Sequence, residues 1–281
     1  SCLVTEPIAW SRWLAKKAAR TACLLVPGTP AAGTRVLMYH RIRARARDPF
    51  SVSPAAFERQ IAWLARTGRA LALRDFAAGV SGGRALAPGS VLVTIDDGFR
   101  DTYTTALPIL RRHGVPAVLF VTVGAVEERS AEVAPTDDSH VSWDELAALE
   151  AGDVAVASHA WDHRSLGAMT ATEVGDQVGR SRETLRCRLG VAADAFAYPY
   201  GTRADYSAAT GAAVAQAGYR LAFTAQHGAI TTACMPLELP RIKVEGGEGL
   251  WLFRRLVAGG LDRWAAVDRH LWRLQATGGR A

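Results

Sequence analysis

The sequence has no apolar run long enough to cross a lipid bilayer and no closely paired cysteines. A spanning helix needs about 20 mostly apolar residues, and the apolar run at residues 22–26 is far shorter. The four cysteines are scattered without a CxxC pair, so neither a disulfide framework nor a cysteine-rich zinc site is expected. No signal peptide with a cleavage site is visible. These absences predict a protein that is soluble or peripherally attached to a membrane.

The charge balance is only modestly basic. The chain has 33 lysines and arginines against 27 acidic residues, a net charge of +6 with neutral histidines. This excess suits an acidic partner or an anionic membrane surface, but a protein without such a partner can have the same charge. No nucleic-acid-binding module is recognisable, so no nucleic-acid partner is expected. With 49% hydrophobic and 21% charged residues in a chain of 281, the composition is that of a folded globular protein of unknown oligomeric state.

Strand and helix patterns alternate from residue 35 onwards. Short apolar runs predict strands at 36–40, 91–95, 117–123, 154–158, 195–198, 221–224 and 239–244. Helical patterns lie between them, and one of these begins with a capping box at Ser142. Repeated strand–helix units favour parallel strands with helices outside, and about seven units predict an α/β fold closed as a (β/α) barrel.

Helical segments flank this alternating region. Residues 8–26 have the pattern of a basic amphipathic helix, and residues 249–275 that of a helical pair broken at Gly259-Gly260. The first helix is expected to pack on its own domain, because apolar helix faces usually meet a core. The alternative is that it lies on an anionic membrane. The same alternatives apply to the C-terminal pair.

Two polar motifs follow predicted strands, where barrel active sites are built. The motif TIDDG places Asp96 and Asp97 side by side, and a bound metal would relieve their repulsion. The motif SHAWDH places His159 and His163 four residues apart, which on a helical turn would face them the same way. Two histidines and one carboxylate, with an open position for water, are typical of a catalytic Zn²⁺ or a related divalent ion. The alternative for TIDDG is a tight Asp-Gly turn, and the alternative for SHAWDH is a loop with two surface histidines.

A third motif, FAYPYG, follows the predicted strand at 195–198. Its residues Tyr198, Pro199 and Tyr200 form a rigid aromatic wall suited to a sugar ring, and its backbone N–H groups suit a developing oxyanion. A structural turn is the alternative. Trp161, between the two histidines, is expected to line the same groove. The basic run at 41–47 is expected to be a solvated loop rather than a contact to an acidic polymer.

The three motifs, in this order and spacing, resemble those of the metal-dependent polysaccharide deacetylases with a NodB-type domain. These carbohydrate esterases remove N-acetyl groups from GlcNAc polymers. The sequence MYHRI at 38–42 and LPRI at 239–242 resemble the subgroup found with exopolysaccharide biosynthesis. The resemblance implies a distorted barrel of seven or eight (β/α) units over residues 35–246, with helical extensions at 1–34 and 247–281.

The resemblance also implies a role for each motif residue. Asp96 matches the catalytic base, and Asp97, His159 and His163 match the metal ligands, with zinc expected and cobalt or nickel as alternatives. Tyr200 matches the position whose backbone N–H helps to hold the oxyanion. The expected substrate is an amino-sugar polysaccharide, oligosaccharide or precursor, and the expected products are acetate and a free amino sugar.

The sequence departs from the family pattern at two positions. Many members have an arginine that orients the catalytic aspartate where this chain has Ala197, so that tether is expected to be absent. The late Leu-x-His of the family, usually the general acid, has no clear match in the region 239–243. His40, which ends the first predicted strand, is a candidate acid, and a structural histidine is the alternative. These departures leave open two other functions: a carbohydrate-binding pseudoenzyme, and a deacylase of another amide.

Overall fold

A computed structural model describes residues 18–23, 32–44, 49–83, 85–129, 134–136 and 138–270. Residues 18–23 are helical, and the rest of the helix predicted at 8–26 lies outside the described residues, as does the chain after residue 270. The predicted exposed run at 41–47 is described only up to residue 44.

The centre of the fold is a curled parallel sheet. Its strands are β1 (Arg35–Tyr39), β4 (Ala70–Leu71), β5 (Val91–Ile95), β6 (Ala117–Val121), β7 (Val154–Ser158), β8 (Ala195–Ala197), β9 (Leu221–Phe223) and β10 (Ile242–Lys243). The order is β10-β1-β5-β6-β7-β8-β9, with β4 paired to β5, and every pairing is parallel. Two further strands, β2 (Arg41–Ile42) and β3 (Ser51–Val52), form a separate pair.

Residues 239–241 join the two edges of this sheet. Leu239 exchanges main-chain hydrogen bonds with Ala222 and Thr224, each 2.8 Å long, and Arg241 N donates to Gln226 O at 2.9 Å. The chain then enters β10, where Leu37 lies opposite Ile242. The strands therefore form the predicted distorted (β/α) barrel, closed on one side by a short segment. The strand predicted at 239–244 is shorter in the structure because Leu239 pairs with the end of β9 and Arg241 with Gln226, so that only Ile242 and Lys243 form β10.

Helices surround the sheet. They are α1 (Pro54–Arg66), α2 (Leu73–Val80), a π-helical turn (Thr102–Ala106) leading into α3 (Leu107–His113), α4 (Val123–Arg129), α5 (Trp143–Glu150), α6 (Ala171–Leu189), α7 (Ala208–Gln216), α8 (Leu250–Val257) and α9 (Trp264–His270). Ser142 accepts from Glu145 N at 3.2 Å while the Glu145 carboxylate accepts from Ser142 N at 3.0 Å, which confirms the predicted capping box. None of the described helices is both long and apolar enough to span a membrane.

Alternate residues of each strand belong to two different parts of the core. Leu37 and Val93 pack outward against the helices, whereas their neighbours Val36 and Leu92 pack in the barrel interior. The interior also contains Phe120 and Phe223, whose ring centroids are 5.3 Å apart. Because side chains alternate across a strand, the apolar runs that predicted strands are buried on both faces, and the barrel interior is filled with side chains.

The flanking helices pack on the barrel where they are described. Phe253 of α8 is fully buried and meets Trp63 of α1 edge to face, at 5.9 Å between ring centroids. Arg20, in the helical residues 18–23, is 3% exposed and forms ion pairs with Glu245 and Glu248 at 3.3 and 3.0 Å. The described parts of both flanks therefore contact the barrel directly.

Candidate active site

The residues of the three motifs meet at the carboxyl end of the barrel. Asp96 and Asp97 follow β5, His159 follows β7, and Tyr200 lies in the loop after β8. Asp96 and His159 continue the inward-facing alternation of their strands, in step with Leu92 and Ala157. His40 does the same after β1, beside Asp96, whose N–H donates to Tyr39 O at 2.9 Å. The period-two pattern of three strands thus directs these side chains to one place.

The loops of the site adopt left-handed backbone conformations. Of the six non-glycine residues with positive φ among those described, four lie here, namely Asp97, Ala160, His163 and Tyr200, with φ of 76, 64, 60 and 60°. The helical turn expected between the two histidines is therefore wrong, because left-handed residues at both ends of 160–163 are incompatible with a helix. The loop nevertheless brings the two imidazole rings to 4.9 Å between centroids. Such conformations cost about 1–3 kcal/mol each and cluster at functional sites.

Asp97, His159 and His163 form a group that can hold a metal ion. Their donor atoms all lie within 4.8 Å of one another, and Oδ1 of Asp97 lies 3.5 Å from His159 Nε2 and 3.3 Å from His163 Nε2. His159 Nδ1 lies 2.8 Å from the carbonyl oxygen of Ala197, so Nδ1 carries the proton and the Nε2 lone pair faces the group. Oδ1 of Asp97 is buried without a hydrogen bond. An open carboxylate oxygen beside two imidazole nitrogens fits a divalent metal.

The charges around Asp97 keep it ionised. Burial by itself would raise the pKa of Asp97, but the two neighbouring histidines hold that pKa well below its usual value. Burial would lower the pKa of His163, and the contact with Asp97 raises it instead. The carboxylate is therefore present as the anionic ligand that a divalent cation requires.

Removal of one imidazole tests the metal site. We expect His163→Ala to weaken zinc or cobalt binding by at least about 100-fold, because two ligand atoms would remain of three. Metal titration of the metal-free protein measures this, and His270→Ala, an exposed histidine at the end of α9, serves as the matched control. Equal affinities for the two variants would contradict the assignment of His163 as a ligand.

Asp96 is held by an arginine from the segment that closes the barrel. Arg241 Nη1 donates to Asp96 Oδ1 at 2.7 Å, and Arg241 Nε donates to Thr224 O at 2.9 Å. The two side chains are 1% and 2% exposed. Burial would raise the pKa of Asp96, but the charge of Arg241, followed by those of His159 and His40, lowers it. Asp96 is therefore an ionised carboxylate with a fixed orientation.

Arg241 corrects the expectation that the aspartate lacks its arginine tether. Ala197 cannot supply a guanidinium, but Arg241, which is distant in sequence, reaches Asp96 from the segment that closes the barrel. The sequence feature that could have indicated this contact is the arginine of LPRI, a charged residue within a segment predicted to be an apolar strand. A buried arginine needs a carboxylate or carbonyl partner, and the two adjacent aspartates were the candidates.

His40 lies at the rim beside the two aspartates. Its Nδ1 is buried and makes no hydrogen bond, and its ring lies 5.0 Å from that of Phe50 between centroids. Burial lowers the pKa of His40, while the charges of Asp97 and Asp96 act in the opposite direction. Residues 239–243 contain no histidine, so His40 is the imidazole that the barrel strands place at this mouth in addition to His159 and His163.

The aromatic residues of the third motif separate into buried and exposed positions. Tyr200 is 48% exposed, and its ring centroid lies 4.8 Å from that of His163. Tyr198 is fully buried and donates to Leu237 O at 3.1 Å, which differs from the prediction that it lines the groove. Pro199 is buried too. Trp161 packs closely on Gly124 and beneath the Arg180 guanidinium, 3.5 Å from its ring, so Tyr200 provides the exposed aromatic surface of this loop.

The basic run also differs from its prediction where it is described. Arg41 is only 6% exposed, its guanidinium pairs with Asp101 and Asp138, and it lies 4.0 Å from the centre of the Phe99 ring. This stacking fixes the loop that follows Asp97 and Gly98. Arg41 therefore has a structural role near the site rather than a place in a solvated loop.

A comparison with protein families identifies the class of this domain. The model of the polysaccharide deacetylase family matches residues 83–222, about half of the chain. The match includes Asp96, Asp97, His159 and His163, and the barrel with its His/Asp group is the fold and site expected for a NodB-type domain. The chain belongs to the polysaccharide deacetylase family.

Three curated proteins are similar to this chain. The chain is 23% identical to a putative polysaccharide deacetylase, YxkH, of Bacillus subtilis, over 75% of this chain and 71% of the relative. It is 26% identical to the poly-beta-1,6-N-acetyl-D-glucosamine N-deacetylase of Staphylococcus aureus, over 74% of this chain and 77% of that protein. For the enzyme of the same name from Escherichia coli the identity is 24% over 81% of this chain, but the match spans only 39% of that longer protein.

Solved structures confirm the fold. The Streptococcus pyogenes deacetylase PplD, in complex with acetate, superposes with a TM-score of 0.72 at 23% identity, covering 82% of this chain and 99% of that one. IcaB from Ammonifex degensii superposes with a TM-score of 0.70 at 24% identity, covering 83% and 98%. The barrel described above is therefore the fold of these two proteins.

Proposed function

We propose that this protein is a metal-dependent hydrolase that removes N-acetyl groups from a GlcNAc-type amino-sugar polymer or its precursor and releases acetate. The observation that carries the proposal is that two adjacent carboxylates have different surroundings. Asp97 faces two imidazole nitrogens, whereas Asp96 is held by Arg241. A structural turn would not need one carboxylate arranged for a cation and its neighbour fixed by a buried arginine. The curated names of the relatives from S. aureus and E. coli support the same substrate class.

The residues of the site have distinct roles in this reaction. Asp97, His159 and His163 would hold the metal, for which zinc suits the donor set best and cobalt or nickel is an alternative. When bound, such an ion polarises a carbonyl oxygen and makes a water molecule more acidic. Asp96 accepts a proton from the water that attacks the acetamide carbon, and the Tyr200 N–H donates a hydrogen bond to the developing oxyanion.

His40 completes the reaction as the acid. It donates a proton to the amide nitrogen as the carbon–nitrogen bond breaks, so that a neutral amine leaves instead of an amide anion. The products are acetate and a free amino sugar. The position of His40 next to Asp96, on the adjacent strand, supports this role.

Two alternative functions are less well supported. The pseudoenzyme hypothesis depended on the missing tether and the missing late histidine, but Arg241 donates a hydrogen bond to Asp96 and His40 lies close enough to interact with it. A deacylase of another amide would use the same chemistry, and no contact in the described residues favours such a substrate over an amino sugar.

Acetate release tests the proposed function. Metal-loaded protein is incubated with N-acetylated β-1,6- and β-1,4-linked glucosamine oligomers, and acetate is measured with and without a chelator. We expect chelator-sensitive release from at least one oligomer. The absence of acetate from both, by protein that contains stoichiometric metal, would contradict the proposal.

Substrates with different leaving groups test whether His40 acts as the acid. We expect His40→Asn to lower kcat for an N-acetylated oligomer by about 10²–10⁴-fold, because the amine needs a proton to leave. The loss for 4-nitrophenyl acetate should be much smaller, because nitrophenolate departs without one. Hydrolysis of both substrates by the same preparation measures the difference. Equal losses on the two substrates would show that His40 is not the acid.

The domain limits and the membrane contact remain predictions. We place the catalytic domain at 35–246 with helical extensions on either side. Trp251 on α8 is 57% exposed and has Arg255 beside it, 6.0 Å from its ring centroid, which supports contact with an anionic surface. Sedimentation with anionic vesicles at low salt, compared with Trp251→Ser, tests this contact.

A further inference from the structure

The loop that carries both histidines of the site cannot make the hydrogen bonds of a helix. Ala160 and His163 have left-handed backbone conformations, so the peptide groups between them need partners elsewhere in the fold. On one side, the carbonyl oxygens of Ala160 and Trp161 accept from the first two N–H groups of α4, at 3.1 and 2.8 Å. Gly124 allows this close approach, because a Cβ there would lie 2.6 Å from Trp161 O. These two carbonyl groups are thus satisfied by α4.

On the other side, a single glutamine of α6 accepts from two successive N–H groups of the loop. Gln177 Oε1 lies 3.1 Å from Trp161 N and 3.2 Å from Asp162 N, and both nitrogens donate to it. An amide oxygen has two lone pairs, so the two bonds form together. Gln177 is 4% exposed, and the second bond fixes the chain one residue before His163.

Ser181, one helical turn after Gln177, contacts the beginning of the same loop. Ser158 Oγ donates to Ser181 Oγ at 2.9 Å and accepts from Ala160 N at 3.2 Å. Both serines are fully buried. Because residues four apart lie on one face of a helix, α6 presents two polar side chains to the loop, one near each end.

These polar side chains interrupt an apolar helix face. The remaining buried residues of α6 are Val174, Val178 and Leu185. A polar group in such a place costs free energy unless it is hydrogen-bonded, and both bonds of the Gln177 oxygen go to the loop. An apolar side chain of the same size would serve packing alone, so the amide at this position indicates a requirement of the loop.

The two histidines depend on the path of this loop to different degrees. His159 directly follows β7, its N–H donates to the last carbonyl oxygen of β6 at 2.8 Å, and its Nδ1 lies 2.8 Å from Ala197 O. His163 lies beyond the two N–H groups that Gln177 holds, and its Nε2 lies 3.3 Å from Asp97 Oδ1. The position of His163 therefore depends on the loop more than that of His159 does.

We propose that Gln177 is a positioning residue of the metal site. By accepting from the N–H groups of Trp161 and Asp162, it keeps the loop on the left-handed path that brings His163 to Asp97. The inference rests on the proposed metal ligands, and it assigns a part in metal affinity to α6, which lies outside the three motifs of the site.

A double-mutant cycle on metal binding tests this role without reference to turnover. Zinc is titrated into four metal-free proteins: wild type, Gln177→Met, His163→Ala and the double variant. We expect Gln177→Met to weaken zinc binding by about 10- to 100-fold in the wild-type background, as is typical of a residue that orients a metal ligand. In the His163→Ala background the same change should alter the affinity by less than about two-fold, because no imidazole remains for Gln177 to position.

Two further variants separate positioning from a general loss of packing. Gln177→Glu keeps an acceptor oxygen at the same place and should bind zinc within about three-fold of the wild type. Gln60→Met is the matched control, because Gln60 of α1 is a glutamine that is 1% exposed and accepts from Tyr39 OH at 2.9 Å, outside the metal loop. It should lower the urea midpoint of the metal-free protein and leave zinc affinity unchanged. Gln177→Ala repeats the cycle if the methionine variant does not fold.

The outcomes distinguish this inference from the proposed function. Equal losses of affinity in the two backgrounds, or a loss in Gln177→Glu as large as in Gln177→Met, would overturn the positioning role. Wild-type protein that binds zinc and releases acetate, together with a Gln177→Met variant of unchanged affinity, would overturn the role and leave the proposed function intact. No zinc or cobalt binding by the wild type would overturn both.

Discussion

Replacement of Asp96 by asparagine is expected to lower kcat for acetate release by about 10³-fold or more. The amide keeps the shape of the side chain and can still contact Arg241, but it cannot accept a proton from the attacking water. Metal binding should change little, because Asp97, His159 and His163 are the proposed ligands and Asp96 Oδ2 lies farther away, 4.0 Å from His159 Nε2. The variant therefore separates the base from the metal site.

Acetate release and metal content are both measured on the same preparation. Asp162→Asn is the matched control, since Asp162 lies between the two histidines in sequence but is exposed and pairs with Arg164 at 2.8 Å. Its activity should stay within about two-fold of the wild type, as expected for an exposed pair. Retention of more than a tenth of the wild-type kcat by Asp96→Asn would contradict the role of Asp96 as base.

Replacement of Arg241 by methionine is expected to destabilise the protein by about 3–5 kcal/mol at pH 7 and to abolish most activity. The reason is that Asp96, 2% exposed, would be left as a buried charge without its partner. The closing segment would also lose its hydrogen bond to Thr224 O. Lysine is not an adequate substitute, because it has no planar fork to reach Thr224 O and the carboxylate together.

Urea unfolding of four proteins measures the interaction: wild type, Arg241→Met, Asp96→Asn and the double variant. The double variant should be more stable than Arg241→Met, because the orphaned charge is gone. Arg35→Met, which breaks a buried pair with Asp262 at 2.7 Å outside the site, is the control and should show no such rescue by Asp96→Asn. Additive losses in the double variant would contradict a direct Arg241–Asp96 interaction.

The same pair predicts a pH dependence with a definite sign. Folding lowers the pKa of Asp96 below the 3.8 of an exposed aspartate. A carboxylate with a depressed pKa contributes stability above its unfolded value, and this contribution is lost as the pH falls through the folded value. Without Arg241, burial would raise the pKa of Asp96 above its usual value in the variant. The difference in unfolding free energy between wild type and Arg241→Met should therefore be largest where Asp96 is ionised in both proteins, and it should narrow as the pH falls from the raised pKa of the variant to the lowered pKa of the wild type.

Local patterns were enough to predict the barrel and the places of its motifs. Strands such as VLVTI are buried on both faces, so continuous apolar runs of strand length identified them. The carboxyl ends of parallel strands lie on one side of the sheet. This is why Asp96 and His159, 63 residues apart in sequence, could be assigned to one site. Helices α2 and α4 were not predicted, because at 8 and 7 residues they are too short to show a period.

Contacts that depend on tertiary packing could not be predicted in this way. Arg241 and Asp96 are 145 residues apart, and no local pattern relates them. The left-handed residues Ala160 and His163 carry no glycine-like signal, so a helical turn was the default expectation. Tyr198 reads as an exposed aromatic in its motif, but its strand position turns it into the core. The family match, too, ends at residue 222, before Arg241, and begins after His40.

The placement of Arg241 makes the order of synthesis relevant to the site. The ribosome releases Asp96, Asp97, His159 and His163 before the residue that pairs with Asp96, and domains generally complete their folding as units. Until residues 239–241 emerge, the sheet lacks its closing segment and Asp96 lacks its counter-charge. Residues 239–241 therefore contribute late both to the closure of the barrel and to the orientation of Asp96. A nascent chain halted upstream of them carries TIDDG, SHAWDH and FAYPYG but lacks the arginine that holds Asp96.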